Sequence, residues 1–405
     1  MSPRAKIALA AIALVGILTA APAAAQKKYD TGVTDTEIKV GNTMPYSGPA
    51  SVYAIIGRTF SAYFRMINDQ GGINGRKINF ITYDDAYSPP KTVEQTRKLI
   101  ESDEVFVDFA PLGTAPNAAI QKYLNQKKVP QLFVGSGASR WGDPDHFPWT
   151  IGLQPSYRSE ARIYATYIQK NYPGKTIGIL YQNDDFGKDY LVGLKDVLRD
   201  DYAKLVLSEI PYEVSVPTVD SQVVAIRTAN PDIFINIGTP KFAAQAIKKV
   251  AEMNWHPIHI MTNVAISPAQ TLKPAGIENA KGILSSAYQM IVTDPAMEAT
   301  PGMKKFRAFM AQYYPEADKL ESGPLTAWNA SQVFVQLIKQ CGDDLTRENV
   351  MKQAANLDMT VDTYLPGIRI KTSPTDFYPI EQLQMIRFNG ETWETFGPMI
   401  DSHQE

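Results

Sequence analysis

IKVGNT (38–43), TFSAYFRMIND (59–69), GGINGR (71–76) and INFITYDD (78–85) follow one another closely, and their order decides the fold. The first and last are short runs rich in apolar and β-branched residues, and each reads as a strand. The second repeats apolar side chains at helical intervals, with Phe60, Tyr63, Phe64 and Ile67 on one face. The glycines of the third stop that helix and turn the chain. Strand, helix, strand in this order is the unit of an α/β fold with parallel strands.

The same rhythm runs outward in both directions. SPPKTVEQTRKLIESD (88–103) reads as a helix with Ser88 as its cap, VFVDFA (105–110) as a strand, APNAAIQKYLNQKKV (115–129) as a helix and QLFVGS (131–136) as a strand. After PWTIGLQPS (148–156) the alternation restarts. Helices are expected over 156–172, 186–200, 220–230 and 242–254, with strands over 176–184, 204–212, 232–238 and 258–263. Two successive βα runs predict two Rossmann-like lobes, each opening its ligand cleft beyond the carboxyl ends of its strands. From about Ser286 the chain turns more helical, then closes with two strand candidates, 381–389 and 391–396, joined through the hairpin signal Asn389-Gly390. The most economical path returns this helical section to the first lobe. The expected division is lobe 1 over 26–152 and 285–370, lobe 2 over 153–284 and 371–405, with a multi-strand hinge between them.

MSPRAKIALAAIALVGILTAAPAAA (1–25) has the parts of a cleaved export signal: Arg4 and Lys6, an apolar run over 7–20, and the small residues Ala23, Ala24 and Ala25 before the expected cut at Gln26. The run is shorter than the roughly 20 residues a membrane span needs. With no lipobox cysteine near the cut, the expectation is a soluble protein in the periplasm of a Gram-negative bacterium. That compartment lacks ATP, which excludes most kinases, ligases and nicotinamide enzymes. Binding, hydrolysis and adhesion remain.

Composition narrows the choice further. Of 405 residues 44% are hydrophobic and 20% charged, with 40 basic against 42 acidic side chains, so nothing suggests a nucleic-acid partner. Cys341 is alone and cannot form an internal disulfide; it closes an apolar run and reads as a buried, inert thiol. The histidines, at 146, 256, 259 and 403, are too scattered for zinc, and no GxSxG, HExxH or P-loop occurs. No metal, no cofactor and no catalytic residue are expected.

Taken in order, NTMPYSGPASVYAIIGRTF (42–60), GGINGRKINFITYDDAYSPPKTVEQTRKLIESDEV (71–105), LGTAPNAAIQKYLNQKKVPQLFVGSGAS (112–139) and IGILYQNDDFGKDYLVGLKDVL (177–198) resemble the leucine/isoleucine/valine-binding family of periplasmic ABC-importer receptors. The resemblance covers essentially all of the chain after residue 25. It implies the type I periplasmic binding protein fold, a monomer that captures a small solute by hinge closure and docks on a membrane permease.

Read on the residues, SGPASVY (47–53) places Tyr53 at a strand's carboxyl end, where ligands collect. Gly113 and Thr114 precede a helix, whose free N–H groups and dipole suit a carboxylate. Gly137, Ala138 and Ser139 repeat that chemistry after the next strand, and the resemblance implies that both segments hold the ligand's carboxylate. By the same resemblance Phe186 closes a ring over the ligand, and Thr239 and Asn263 take the remaining cleft positions. Each has a structural alternative, as a cap, a core residue or a surface ring. Trp141 and Tyr288 are possible additions.

One departure from the family stands out. Its amino-acid-binding members carry an acid after the strand that ends near Asn263, and here the loop reads TNVAIS (262–267). An ammonium group buried without a counter-charge costs several kcal/mol. An aromatic or branched carboxylic acid is therefore expected beside a branched-chain amino acid as the ligand class. Asp84 or Asp85 is an alternative source of negative charge, although YDD reads more readily as a structural turn. A sensor subunit and, more remotely, a periplasmic hydrolase are the rival functions.

Overall fold

The computed structural model describes residues 27–402. The export signal expected over 1–25, and His403, lie outside the described residues.

In the first sheet β1 (Glu37–Met44) lies between β2 (Lys77–Asp84) and β3 (Val107–Phe109), followed by β4 (Gln131–Val134) and β5 (Thr150–Gly152). Its order is β2-β1-β3-β4-β5 and every pair is parallel. Parallel neighbours need long crossovers, supplied by helices α1 (Ala54–Asp69), α2 (Pro89–Glu101) and α3 (Thr114–Lys127). The apolar face of α1 drops Phe60 and Phe64 onto Phe109 of the sheet, with ring centres 4.9 and 5.6 Å apart. Ser88 does stand at the start of α2, though its hydroxyl makes no capping bond.

The second sheet is built the same way. Helices α4 (Tyr157–Asn171), α5 (Asp185–Leu198), α6 (Asp220–Thr228) and α7 (Pro240–Glu252) alternate with β6 (Ile177–Gln182), β7 (Val206–Tyr212), β8 (Ile233–Ile237), β9 (Ile258–Met261) and β10 (Leu284–Ala287). The sheet order is β12-β11-β10-β9-β8-β6-β7, where β11 (Gln382–Phe388) and β12 (Trp393–Asp401) form an antiparallel edge. At their turn the Asn389 side chain accepts the N–H groups of Glu391 (2.8 Å) and Thr392 (2.9 Å).

Between β10 and β11 the chain leaves this sheet for the first. Helices α8 (Pro301–Tyr313) and α9 (Gly323–Cys341) pack on α1, Trp328 lying 5.3 Å from Tyr63 and Phe334 lying 5.7 Å from Phe64. With the passage after β5, the chain crosses between sheets three times. Ser286, taken from sequence as the opening of the helical section, lies inside β10: Ser285 and Ser286 are fully buried there, which hides the strand from a search for apolar runs.

Cys341 is buried and free, and burial together with Asp344 pushes its thiol up to about 12, which leaves it inert. His259 is buried beside Asn236, and burial drives it down to about 3. Among the described residues no three His, Cys, Asp or Glu side chains cluster for a metal.

Asp108, on β3, is fully buried and neither carboxylate oxygen has a hydrogen-bond partner. Burial, reinforced by Asp85, pushes it up to about 8. Its folded pKa thus lies above the unfolded value near 3.9, so the folded state holds the extra proton and loses stability as pH rises from about 4 to 8. Asp108→Asn keeps the shape without that charge. Denaturant unfolding at pH 5 and pH 8 is expected to show the wild type weakening by a few kcal/mol, at about 1.4 kcal/mol per pKa unit, and the variant weakening much less.

Candidate functional site

A cavity of about 90 Å³, measured as space open to the centre of a water molecule, lies where the two sheets face each other. At roughly 10–15 Å³ per water in that measure, it suits a small solute and not a peptide. Tyr53, Gly113, Thr114, Phe186, Thr239 and Asn263, named from sequence, all line it.

Several helices begin at its wall, and α3, α5 and α7, which each follow a strand, differ in what their first turns still offer. The Asp184 carboxylate caps α5, accepting the N–H groups of Phe186 (3.0 Å) and Gly187 (3.4 Å). α7 opens with Pro240, which has no N–H to give. α3 follows Gly113, which has no side chain to cap it; Pro116 has no N–H and the Asn117 N–H bonds to the Gly113 carbonyl, so the amides of Thr114 and Ala115 remain for a guest. Gly113 has a φ of 107°, and a Cβ there would stand 2.5 Å from the ring of Tyr87, so only glycine lets the backbone reach the cavity. Beside it the Thr114 hydroxyl shares a 2.7 Å hydrogen bond with Ser136. The positive end of the helix dipole and a hydroxyl therefore meet at one point, which is carboxylate chemistry.

The remaining walls are rings, hydroxyls and amides. Phe186 meets Tyr157 edge-on at 4.7 Å, and Tyr53 reaches across the cleft to donate to the carbonyl of Val264 at 3.1 Å. No lining residue carries a charge. Two buried carboxylates stand behind the wall: Glu321, which accepts from the lining Ser267 at 3.1 Å, and Glu160, fully buried, which accepts from Tyr190 (2.6 Å), the Asn263 N–H (2.8 Å), Ser286 (3.1 Å) and Tyr164. Burial raises its pKa against the pull of the two tyrosines. Asp84 and Asp85 are consumed by local structure: Asp84 takes Lys91, Ala86 N–H and both donors of Ser47, and Asp85 takes the Tyr87 N–H and Thr92.

Gly137, Ala138 and Ser139 do not line the cavity, contrary to the sequence expectation. Asp189 of α5 reaches over from the second lobe and takes both Ser139 donors, the N–H at 2.6 Å and the hydroxyl at 2.8 Å. The chain's own carboxylate thus occupies the place read for a ligand's. Arg140 adds a 2.8 Å bond to Asp185, and on the opposite flank Gln270 donates to the Val52 carbonyl at 2.8 Å. Trp141 is buried against Gly152, outside the cavity, whereas Tyr288 lines it. Sequence reading missed Tyr87, Gln154 and Tyr157, which sit in or just after loops and crossings and carry no motif spacing.

Comparison with known proteins agrees with this geometry. A family model described as periplasmic binding protein matches residues 37–392. A leucine-, isoleucine-, valine-, threonine- and alanine-binding protein of Pseudomonas aeruginosa is 26% identical over 176 residues, 42% of this chain and 46% of that protein, so the match spans about half of the relative's length. A branched-chain amino acid ABC transporter structure from Thermus thermophilus with bound valine superposes with a TM-score of 0.81 at 15% identity, covering 92% of this chain and 98% of the other. A fatty acid ABC transporter substrate-binding protein from Thermomonospora curvata gives 0.78 at 18% identity, covering 93% and 95%. At such identities the structural likeness shows the fold alone.

The Ser139–Asp189 contact joins the lobes only when they are together. Hydrogen bonds to charged groups contribute about 1.5–3 kcal/mol, so Asp189→Ala is expected to speed ligand release about tenfold while association changes less than threefold, as read by stopped-flow binding.

Proposed function

The chain belongs to the periplasmic binding protein family, and from that premise we propose that it is the receptor of an ABC importer, capturing a small aromatic or branched carboxylic acid without an ammonium group. Membership makes it a substrate-binding protein of the branched-chain amino acid transporter type, not an enzyme, and implies a periplasmic location. The ligand class, the importer role and the permease partner are the proposal's own content.

One observation carries the ligand class. The cavity gathers a helix N-terminus, a threonine hydroxyl and several rings, yet no charged side chain lines it. A carboxylate is met by the α3 amides and Thr114. An ammonium group would meet neutral side chains at the wall, because behind it Glu160 already accepts from four donors of the chain and Glu321 from the Ser267 hydroxyl. Leaving that ammonium uncompensated costs several kcal/mol. An aromatic or branched body suits the rings of Tyr53, Tyr157 and Phe186, whose burial is worth on the order of 1.5–3 kcal/mol for a large side-chain-sized group. The Thermomonospora relative, described as a fatty acid receptor, shows that this fold is used for an acid with no amine.

A branched-chain amino acid is the second reading, favoured by the name of the Pseudomonas relative. The two readings part in a thermal-shift screen, because selective binding to the folded state raises its melting temperature. Benzoate-like and branched aliphatic acids are expected to stabilise the protein by several degrees, and leucine and valine by less than one. Strong stabilisation by leucine or valine would remove the ammonium-free reading. Thr114→Val is expected to weaken the best acid by about 10-fold to 100-fold, the worth of one hydrogen bond to a charged group. Titration calorimetry checks it.

A further inference from the structure

Behind the main cavity lies a second, smaller one, about 30 Å³ in the same measure, lined largely by apolar side chains such as Phe60, Phe133, Leu153 and Ala330. The two adjoin across a common wall, to which Leu112, Gly135, Gln154, Tyr288, Gln289 and Thr326 all contribute. Gly113 and Thr114 line only the first, and Tyr364 only the second. A ligand anchored by its carboxylate at Thr114 therefore points its far end into this pocket.

The small chamber is apolar but not inert. Tyr288 is 8% exposed and Tyr364 4%, their rings cross edge to face at 5.6 Å, and among the described residues neither hydroxyl has a hydrogen-bond partner. The Gln154 amide, which lines both chambers, is likewise without one. Each hydroxyl keeps a little surface open to the chamber, which leaves it free to give and to take a hydrogen bond there. The other amides nearby are already spent, Gln289 on Thr326 (3.0 Å) and Asn329 on Gln289 (3.3 Å). Backbone bonding fixes the two tyrosines in place, the Leu365 N–H donating to the Tyr288 carbonyl at 2.9 Å.

We propose that this chamber is a distal subsite for a single hydroxyl on the end of the ligand remote from its carboxylate, received by Tyr364 and Tyr288. At about 10–15 Å³ per water, 30 Å³ holds on the order of two waters, enough for one small polar substituent and too little for a long alkyl tail. The ligand is then an acid with polar groups at both ends of a flat apolar body. The proposal rests on the reading of the main cavity as a carboxylate site.

Titration calorimetry on the purified protein with benzoate, 4-hydroxybenzoate and 4-hydroxybenzamide separates the two ideas. The hydroxylated acid is expected to bind at least tenfold tighter than benzoate. In Tyr364→Phe that preference is expected to fall below threefold, with benzoate affinity unchanged within twofold, a selective loss that misfolding would not produce. Equal binding of benzoate and 4-hydroxybenzoate overturns the subsite, as does a preference that survives both Tyr364→Phe and Tyr288→Phe. If 4-hydroxybenzamide binds as tightly as the acid, the carboxylate reading fails while the hydroxyl comparison still reports on the distal chamber. Binding of leucine with none of the ring compounds overturns both.

Discussion

The direction of the parallel strands governs everything else in this molecule. Each strand of a βα unit ends where the next helix begins, so topology alone delivers the polar N-terminus of α3 to the rim of the first sheet and those of α5 and α7 to the rim of the second. Turning two such rims toward each other confines the binding chemistry to a single cleft. What distinguishes one helix start from another is then a matter of one or two residues. A carboxylate at 184 silences α5, a proline opens α7 at 240, and a glycine at 113 leaves the Thr114 and Ala115 amides of α3 uncapped ahead of Pro116.

Charge around the cleft obeys a second rule, which is that the carboxylates set behind its wall accept hydrogen bonds from the chain itself. Glu160, Asp85, Asp184 and Asp189 are each buried or nearly so and each accepts from hydroxyls or backbone amides. Burial lifts the pKa of all four. Such groups hold loops in position without projecting a free charge into the cavity. Glu160 ties the Asn263 loop and Ser286 to helix α4, and so fixes two lining residues through one carboxylate. The wall is neutral because its charges have been drawn one layer back.

Much of this was legible in the chain. Alternating strands and helices showed from apolar spacing, since Phe60 and Phe64 on α1 or Ile233 and Ile235 on β8 leave a clear periodic mark. β10 did not show, because LSSA buries two serines whose partners come from Glu160 and Tyr164 far away in sequence. Gly113 and Thr114 were readable because the residues at a strand-to-helix junction bond locally. Ser139 misled for the opposite reason: its partner, Asp189, lies on the other lobe and enters only when the lobes meet. Gln154 and Tyr157 fall in or after the first crossing, where position in space owes nothing to local pattern.

The contact that misled also explains how closure and binding are divided. Ser139–Asp189 and Arg140–Asp185 sit on one flank of the cleft, Gln270 to Val52 on the other, and none of them needs a ligand. They tie the two lobes together by themselves, so a guest that touches both lobes adds its contacts to theirs. Thr114 and Tyr53 belong to the first lobe, Phe186 and Asn263 to the second, and a solute touching all four is held fully only when the cleft is shut. Affinity then depends on the latch as well as the pocket, whereas selectivity depends on the residues that line the pocket, Gln270 among them. Ser139, Asp189, Arg140 and Asp185 lie outside the cavity and bear equally on every ligand, whereas Gln270 lines it and serves both as tie and as wall.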